Sequence, residues 1–492
     1  MNLYSLFLKN FSKNKKIVFN DEILTYKDFR NEVDSILRSN LIKNKNKIAI
    51  ISSNQKYLSS LLFACSYSGI SLILINKSLK INQINKKLKL TKPDLAIYDG
   101  DDFTKIKFCK KKIISNEFFS QKPKKDNKIF RSRFKKDKDF IVTFSSGTTS
   151  LPKAVVYSQK IKYLRYLHMQ KTYKVKKSDN IFSASPIDHS LGQRLLFLAL
   201  LNGSSFVYSG KYNFVDISKK VKEFKISFAV LPSNYLALLK KKIISKKIFI
   251  KKIVSAASTL NLIDKKQMIK SGIELYEMYG AAEIGTVTSI NLKKFKNKIT
   301  SVGKILKGIS IKIVDKKLRN RSTGEIGEII CKTPLKFKGY YQNKILTKKS
   351  ILNGYFKTGD LGYLDNENYL HYVSRKQDVV NTGGKNIYPI DIEKELLKLK
   401  FLREVAVIGI KDKFFGQVVF AVCVIKKKLP NPEKKIKEFL SKKISSYQQP
   451  LGYAFVNKLP KNHLGKIQKK KLRDRYNKRK IDLSKNLRRI LN

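Results

Sequence analysis

The run Ile141-Val142-Thr143-Phe144-Ser145-Ser146-Gly147-Thr148-Thr149-Ser150-Leu151-Pro152-Lys153 gathers residue types that hold a polyphosphate. Ser and Thr hydroxyls and loop amides donate to phosphate oxygens, Gly147 lets the backbone come close, and Lys153 adds a positive charge. The run is not a Walker loop, which needs Gly before the Lys and Ser/Thr after it; here Pro152 precedes and Ala154 follows. Taken alone, it describes a polar hairpin equally well.

Other stretches carry complementary chemistry. Tyr276-Glu277-Met278-Tyr279-Gly280-Ala281-Ala282-Glu283 ends a strand with an aromatic, a glycine and an acid. An aromatic stacks on a base, and a carboxylate holds Mg²⁺ on phosphate oxygens. Tyr355-Phe356-Lys357-Thr358-Gly359-Asp360 sets Asp360 after a tight turn, as an acceptor for two ribose hydroxyls. Ser374-Arg375-Lys376-Gln377-Asp378 leads to Gly383-Gly384-Lys385, and Leu459-Pro460-Lys461-Asn462-His463-Leu464-Gly465-Lys466 sets one lysine after a glycine turn. Singly, Glu283 reads as a surface acid, Asp360 as a turn former and Lys466 as one lysine among many. Their order along the chain is the signal.

The elements that must position them alternate. Phe140 to Phe144 reads as a strand, Lys47 to Ser52 as another, Gln55 to Ser68 as a helix, and Gly69 to Ile75 as a second buried strand. Strand, helix, strand in that order predicts parallel βαβ units. The alternation continues through a helix at Ser158 to Tyr173 and strands near Ile181, 205–208, 226–231, 252–256 and 272–276. From Gly303 short strands and turns predict a smaller β unit. A boundary near Ser374-Arg375-Lys376 precedes a compact unit with a helix from Ile390 to Leu399, strands 405–410 and 418–425, and a helix from Pro432 to Lys442. At the N-terminus a helix is expected to pack Leu3, Phe7, Leu8 and Phe11 inward.

The 492 residues and 42% apolar content fit a globular protein of more than one domain. Leu195 to Leu201 is too short to span a bilayer, so no integral membrane segment is expected. Cys65, Cys109, Cys331 and Cys423 show no metal or redox spacing and read as reduced core residues, pointing to the cytoplasm. With 104 Lys+Arg against 37 Asp+Glu, a net charge of +67, the surface attracts anions. The cations are spread along the chain with no recognition element, so no specific nucleic-acid partner is expected. Residues 474–492 form a basic tail.

The ordered motifs from Ser145 to Lys466 resemble the adenylate-forming superfamily, which includes acyl-CoA synthetases, aryl-acid ligases, adenylation domains and luciferases. The resemblance implies an α/β protein: a large N-terminal domain of two α/β subdomains plus a β subdomain (1–374), and a small mobile α+β C-terminal domain (375–473). It implies that Ser145, Ser146, Gly147, Thr148, Thr149 and Lys153 hold the β,γ-phosphates of ATP. Ala257, Ser258 and Tyr279 would line the adenine pocket, Gly280 and Ala282 would lie against the nucleotide, and Asp360 and Arg375 would bind ribose. Glu283 would hold Mg²⁺, Lys466 would be the catalytic lysine, and His189 would border the acyl pocket. Gln377 would be the hinge, and Gly383 and Gly384 would line the thiol channel.

The chain departs from the family at Ser150, Ala154, Ala256-Ala257 and Gln377, and above all at Ala282, where threonine usually contacts the α-phosphate; aryl-acid ligases resemble it there. The implied activity is ATP-dependent conversion of a small-molecule carboxylic acid, fatty or aromatic, to an acyl-adenylate and then, with CoA as co-substrate, to acyl-CoA. Two alternatives stand beside it: loading of an acidic acyl carrier protein, and a non-catalytic nucleotide-binding relative.

Overall fold

The computed structural model describes residues 2–121, 128, 129, 132–144, 153–209, 214–256, 260, 262–426, 429–461 and 467–478. Two largely parallel sheets form the bulk of the chain. In one, the parallel strands Lys111–Ile114, Leu95–Tyr98, Lys47–Ile51, Ser71–Leu74 and Asp139–Phe144 lie side by side in that order. Ala154–Ser158 and Gly339–Tyr340 close one edge antiparallel. In the other, Lys16–Phe19, Ser205–Tyr208, Asn180–Ser183, Phe228–Pro232, Lys252–Ala256 and Glu274–Ala281 run parallel; Glu22–Thr25 closes one edge antiparallel, and Gly285–Asn291 followed by Lys304–Ile305 closes the other. Strands covered on both faces need near-continuous apolar runs, which the sequence supplies.

Helix Gln55–Ser68 is almost wholly buried. Its serines are tolerated there because Ser59, Ser66 and Ser68 turn their hydroxyls back onto carbonyls of their own helix. Helix Gln159–Tyr173 starts where the Ser158 side chain accepts from the Ile161 amide. Helix Ser190–Asn202 packs against it, and Gly192 makes its entry possible, since a Cβ there would lie 2.0 Å from the Pro186 carbonyl oxygen.

A five-stranded antiparallel sheet follows, built from Ser310–Val314, Gly327–Lys332, Ile351–Leu352, Tyr355–Leu364 and Leu370–Arg375. The C-terminal unit has its own sheet: the hairpin Val380–Thr382 and Lys385–Ile387, the long pair Leu402–Asp412 and Gly416–Ile425, and Gly452–Phe455. Helices Pro389–Leu396 and Pro432–Ser441 cover one face and Lys469–Lys478 the other.

The strand and helix expectations hold to within a few residues, with informative differences. Leu8 is exposed rather than packed inward, because Tyr4 takes the place beside Leu3 and Phe7 on the buried face. Cys109 is half-buried, unlike the other three cysteines. Asp360, expected after a tight turn, lies within strand Tyr355–Leu364, which continues through Gly359 in a left-handed conformation. The helix Lys469–Lys478 runs across position 474, where the basic tail is expected to begin; residues 479–492 lie outside the described residues. Tyr476 is 3% exposed and its ring lies 4.9 Å from that of Phe420. Tyr476→Ala is expected to cost about 3 kcal/mol, read as a lower urea midpoint for the C-terminal unit with the rest of the chain unchanged.

Candidate active site

A cleft of 1560 Å³ opens between the two sheets, the antiparallel sheet and the C-terminal unit. Phe144 and Lys153, which flank the hydroxyl-rich loop, both line it, as do Lys461 and Ile467, which flank Lys466 and pair as an antiparallel bridge. Ser145, Ser146, Gly147, Thr148, Thr149, Ala257, Ser258 and Lys466 themselves lie outside the described residues.

The acidic half of the site sits on the hairpin Glu274–Asn291. Its tightness requires Gly280, where a Cβ would come within 2.0 Å of the Gly285 carbonyl oxygen. Ala282 and Glu283 therefore occupy a fixed turn facing the cleft. The Tyr340 hydroxyl donates to Glu283 Oε1 at 3.2 Å, and burial, then the charge of Glu283, raise the Tyr340 pKa, so it remains the donor. Lys153 Nζ lies 5.9 Å from the centroid of the same ring. Glu283, Tyr340 and Lys153 thus form one group. No cluster of three or more His, Cys, Asp or Glu occurs among the described residues. A single carboxylate facing an open cleft suits Mg²⁺, which keeps waters and takes phosphate oxygens, and does not suit an all-protein cage.

The polar half centres on Asp360, 3% exposed. The Tyr279 hydroxyl donates to its Oδ2 at 2.7 Å and Arg375 Nε lies 2.8 Å from Oδ1. Asp360 and Arg375 are register partners across adjacent strands, and Thr358 Oγ1 accepts from the Asp360 amide. Burial, then the neighbouring Asp360 charge, push the Tyr279 pKa well above the usual tyrosine value, so its proton stays in place. Tyr279, expected at the adenine, is also the residue that holds Asp360.

His189 is the residue before helix Ser190–Asn202 and lines the cleft with Asp188, whose Oδ2 lies 3.6 Å from His189 Nε2. Asn76 donates to Asp188 at 2.6 Å. At the boundary, Lys376 pairs with Glu328 of the antiparallel sheet and Asp378 pairs with Arg473 of the last helix, each at 2.7 Å. Gln377, exposed between them, has no side-chain hydrogen bond or ion pair among the described residues. Gly383 and Gly384 form the exposed turn of the hairpin Val380–Ile387 and do not line the cleft.

Sequence reasoning missed Arg165, Tyr340 and Lys87. Arg165, 2% exposed, donates to the carbonyls of Ala282 (2.9 Å), Glu283 (3.2 Å) and Leu335 (2.8 Å), and stacks on Tyr157, whose hydroxyl also donates to Ala282 at 2.9 Å. Lys87 lines the cleft with its Nζ 3.7 Å from the centroid of the Phe144 ring, and burial lowers its pKa to about 8. In a chain with 104 Lys+Arg, no sequence signal separates these two cations from the rest.

Residues 8–341 match the model of the AMP-binding enzyme family, and residues 391–466 match that of the AMP-binding enzyme C-terminal domain. A 2-succinylbenzoate–CoA ligase of Listeria monocytogenes serovar 1/2a is 30% identical over 339 residues, 68% of this chain and 70% of that one. That of Bacillus licheniformis is 26% identical over 445 residues, covering 89% and 91%. The o-succinylbenzoate CoA synthetase of Bacillus subtilis, solved with its acyl-adenylate intermediate, superposes with a TM-score of 0.86 at 21% identity, covering 96% and 97%. ATP-bound MatB of Rhodopseudomonas palustris gives 0.86 at 22%, covering 97% and 99%.

Arg165→Lys keeps the charge but not the planar fork that reaches several carbonyls. It is expected to weaken binding of ATP with Mg²⁺ about tenfold and to leave binding of ATP without Mg²⁺ within about twofold. Titration calorimetry checks this; equal losses would mean that the turn matters only for folding.

Proposed function

Since the chain belongs to the AMP-binding enzyme family, we propose that this cleft activates a fatty or aromatic carboxylic acid with Lys466 as its catalytic lysine. The protein is an AMP-forming acid–CoA ligase with ATP, Mg²⁺ and CoA as its reaction partners. The acid's carboxylate attacks the α-phosphorus of ATP, the bond to pyrophosphate breaks, and an acyl-adenylate remains. The CoA sulfur then bonds to the acyl carbon as AMP leaves. A carboxylate is a weak nucleophile and the transition state gathers negative charge on phosphate oxygens, so the protein mainly positions groups and stabilises charge.

One observation carries the assignment of roles: the flanks of the hydroxyl-rich loop and of Lys466 line the same cleft as Glu283 and Arg375. In this reading Ser145, Ser146, Gly147, Thr148, Thr149 and Lys153 hold the departing pyrophosphate. Ala257, Ser258 and the ring of Tyr279 border the adenine, with Gly280 and Ala282 against the nucleotide. A carboxylate accepts several hydrogen bonds, so Tyr279 and Arg375 hold Asp360 in place while it accepts from the ribose. Glu283 holds Mg²⁺, which when bound supplies positive charge to the phosphate oxygens. Arg165, Tyr157 and Tyr340 fix the turn and the carboxylate of Glu283. His189 borders the acid, and the 2-succinylbenzoate that names several relatives is the first acid to try.

Lys466 and an incoming thiol would compete for the same face of the adenylate. Rotation of the C-terminal domain (375–473) about Gln377, between the Lys376–Glu328 and Asp378–Arg473 ties, would replace the lysine with the Gly383-Gly384 turn. Among the described residues no helix is long and apolar enough to cross a membrane. We place the reaction in the cytoplasm, where unpaired cysteines persist.

Acid-dependent ATP–pyrophosphate exchange, followed by acyl transfer to CoA and to a carrier protein side by side, tests the reading. Nucleotide binding without exchange over a broad panel of acids would refute it. Lys466→Ala is expected to abolish exchange yet leave thioester formation from supplied acyl-adenylate largely intact; survival of both halves would remove the lysine from its role. Gln377→Pro is expected to impair thioester formation more than exchange, and equal losses in single-turnover assays would argue against this hinge.

A further inference from the structure

Helix Ile81–Thr91 turns Ile84, Lys87, Leu88 and Thr91 inward, and Ile84 and Leu88 join the core over the sheet that contains strand Asp139–Phe144. A lysine on that stripe is out of pattern, since the face a helix turns to a core is ordinarily apolar. Other buried lysines each have a polar partner. Lys162 donates to Gln193 Oε1 at 2.6 Å, Lys220 pairs with Asp21 at 3.0 Å, and Lys265 donates to the Ile299 carbonyl at 3.0 Å and lies 3.5 Å from Glu277. Lys87, 8% exposed, has no such partner among the described residues; its Nζ rests 3.7 Å from the centroid of the Phe144 ring. A ring face offsets only part of what burying an ammonium costs. Burial lowers its pKa to about 8, which leaves it mostly a cation at neutral pH.

Lys87 differs from those lysines in a second way: it lines the cleft and they do not. Phe144, on whose ring its ammonium rests, ends strand Asp139–Phe144, and Ser145 lies one Cα step of about 3.8 Å further on. Phe144 and Ala154 are register partners, so the two ends of the hydroxyl-rich segment sit side by side. Lys87 stands at one end, through Phe144, and Lys153 at the other, immediately before Ala154. Both lysines line the cleft. The counter-charge that Lys87 lacks within the protein is what a diphosphate brings to this place, several negative oxygens that an ammonium meets as a point charge.

We propose that Lys87 is a diphosphate-binding residue, which takes the β- and γ-phosphate oxygens of ATP opposite Lys153 and keeps hold of them as pyrophosphate departs. This rests on the acid–CoA ligase reading and deepens it, by adding a residue from a helix that carries none of the ordered motifs. The Phe144 ring holds the ammonium in place while the cleft is empty of anion. CoA carries a diphosphate too; the position of Lys87 beside the segment that opens at Ser145 favours that of ATP.

Titration of ATP, AMP, pyrophosphate and CoA, each with Mg²⁺, into the wild type, Lys87→Met and Lys87→Arg tests it. Lys87→Met is expected to weaken ATP and pyrophosphate about tenfold or more and to leave AMP and CoA within about twofold. Lys87→Arg, which keeps the charge and can lie on an aromatic face, should recover most of that loss. An equal weakening of AMP would overturn the proposal and leave Lys87 as packing for Phe144. A weakening confined to CoA would overturn it in favour of the other diphosphate. If no acid supports ATP–pyrophosphate exchange, the ligase reading fails, and the pyrophosphate titration still decides for Lys87. Pyrophosphate binding that Lys87→Arg retains and Lys87→Met loses would uphold the site, and a wild type that binds pyrophosphate no better than Lys87→Met would refute it.

Discussion

Asp360 ties the molecule together. Its carboxylate, buried where the antiparallel sheet meets the second parallel sheet, takes a hydrogen bond from Tyr279 and an ion pair from Arg375. Tyr279 belongs to the hairpin that carries Glu283, and Arg375 is the last strand residue before the C-terminal unit. One side chain therefore sets the distance between the Glu283 turn, the cleft and the start of the C-terminal unit. Removing one partner of such a buried charge costs about 3–5 kcal/mol, so the arrangement is rigid where the chemistry needs rigidity.

The opposite side of the site depends on buried cations. Arg165 clamps the carbonyls at 282, 283 and 335 from behind, which fixes the turn without touching the cleft chemistry. Tyr340 and Lys153 complete the group in front of it. The segment leading from Leu335 to Tyr340 also supplies the edge strand of the first sheet, so the clamp joins both parallel sheets around Glu283. Among the many cations of a chain with a net charge of +67, those around the Glu283 turn differ from the surface ones by burial and by directed hydrogen bonds.

The rotation proposed above needs one short segment to bend. Lys376 is held to the antiparallel sheet and Asp378 to the last helix of the C-terminal unit, which leaves Gln377 to absorb a change in backbone angles. A hinge bounded this closely fits a two-stage reaction in which one surface of the small domain must leave before another arrives.

The sequence by itself determined the architecture and the family. Buried parallel strands must be continuously apolar and helices must show their period, so runs such as Lys47–Ile51, Gln55–Ser68 and Lys252–Ala256 were legible residue by residue. The ordered motifs around Ser145, Glu283, Asp360, Arg375 and Lys466 announced nucleotide chemistry because that chemistry needs particular side chains at particular turns. The turn expected before Asp360 is a left-handed Gly359 inside a continuous strand, and the two look the same in sequence. Only the tertiary structure showed where Arg165 and Tyr340 reach. Their roles come from burial and from partners more than a hundred residues away in the case of Arg165, and a linear sequence carries neither the loss of water around a guanidinium nor the carbonyls that replace it.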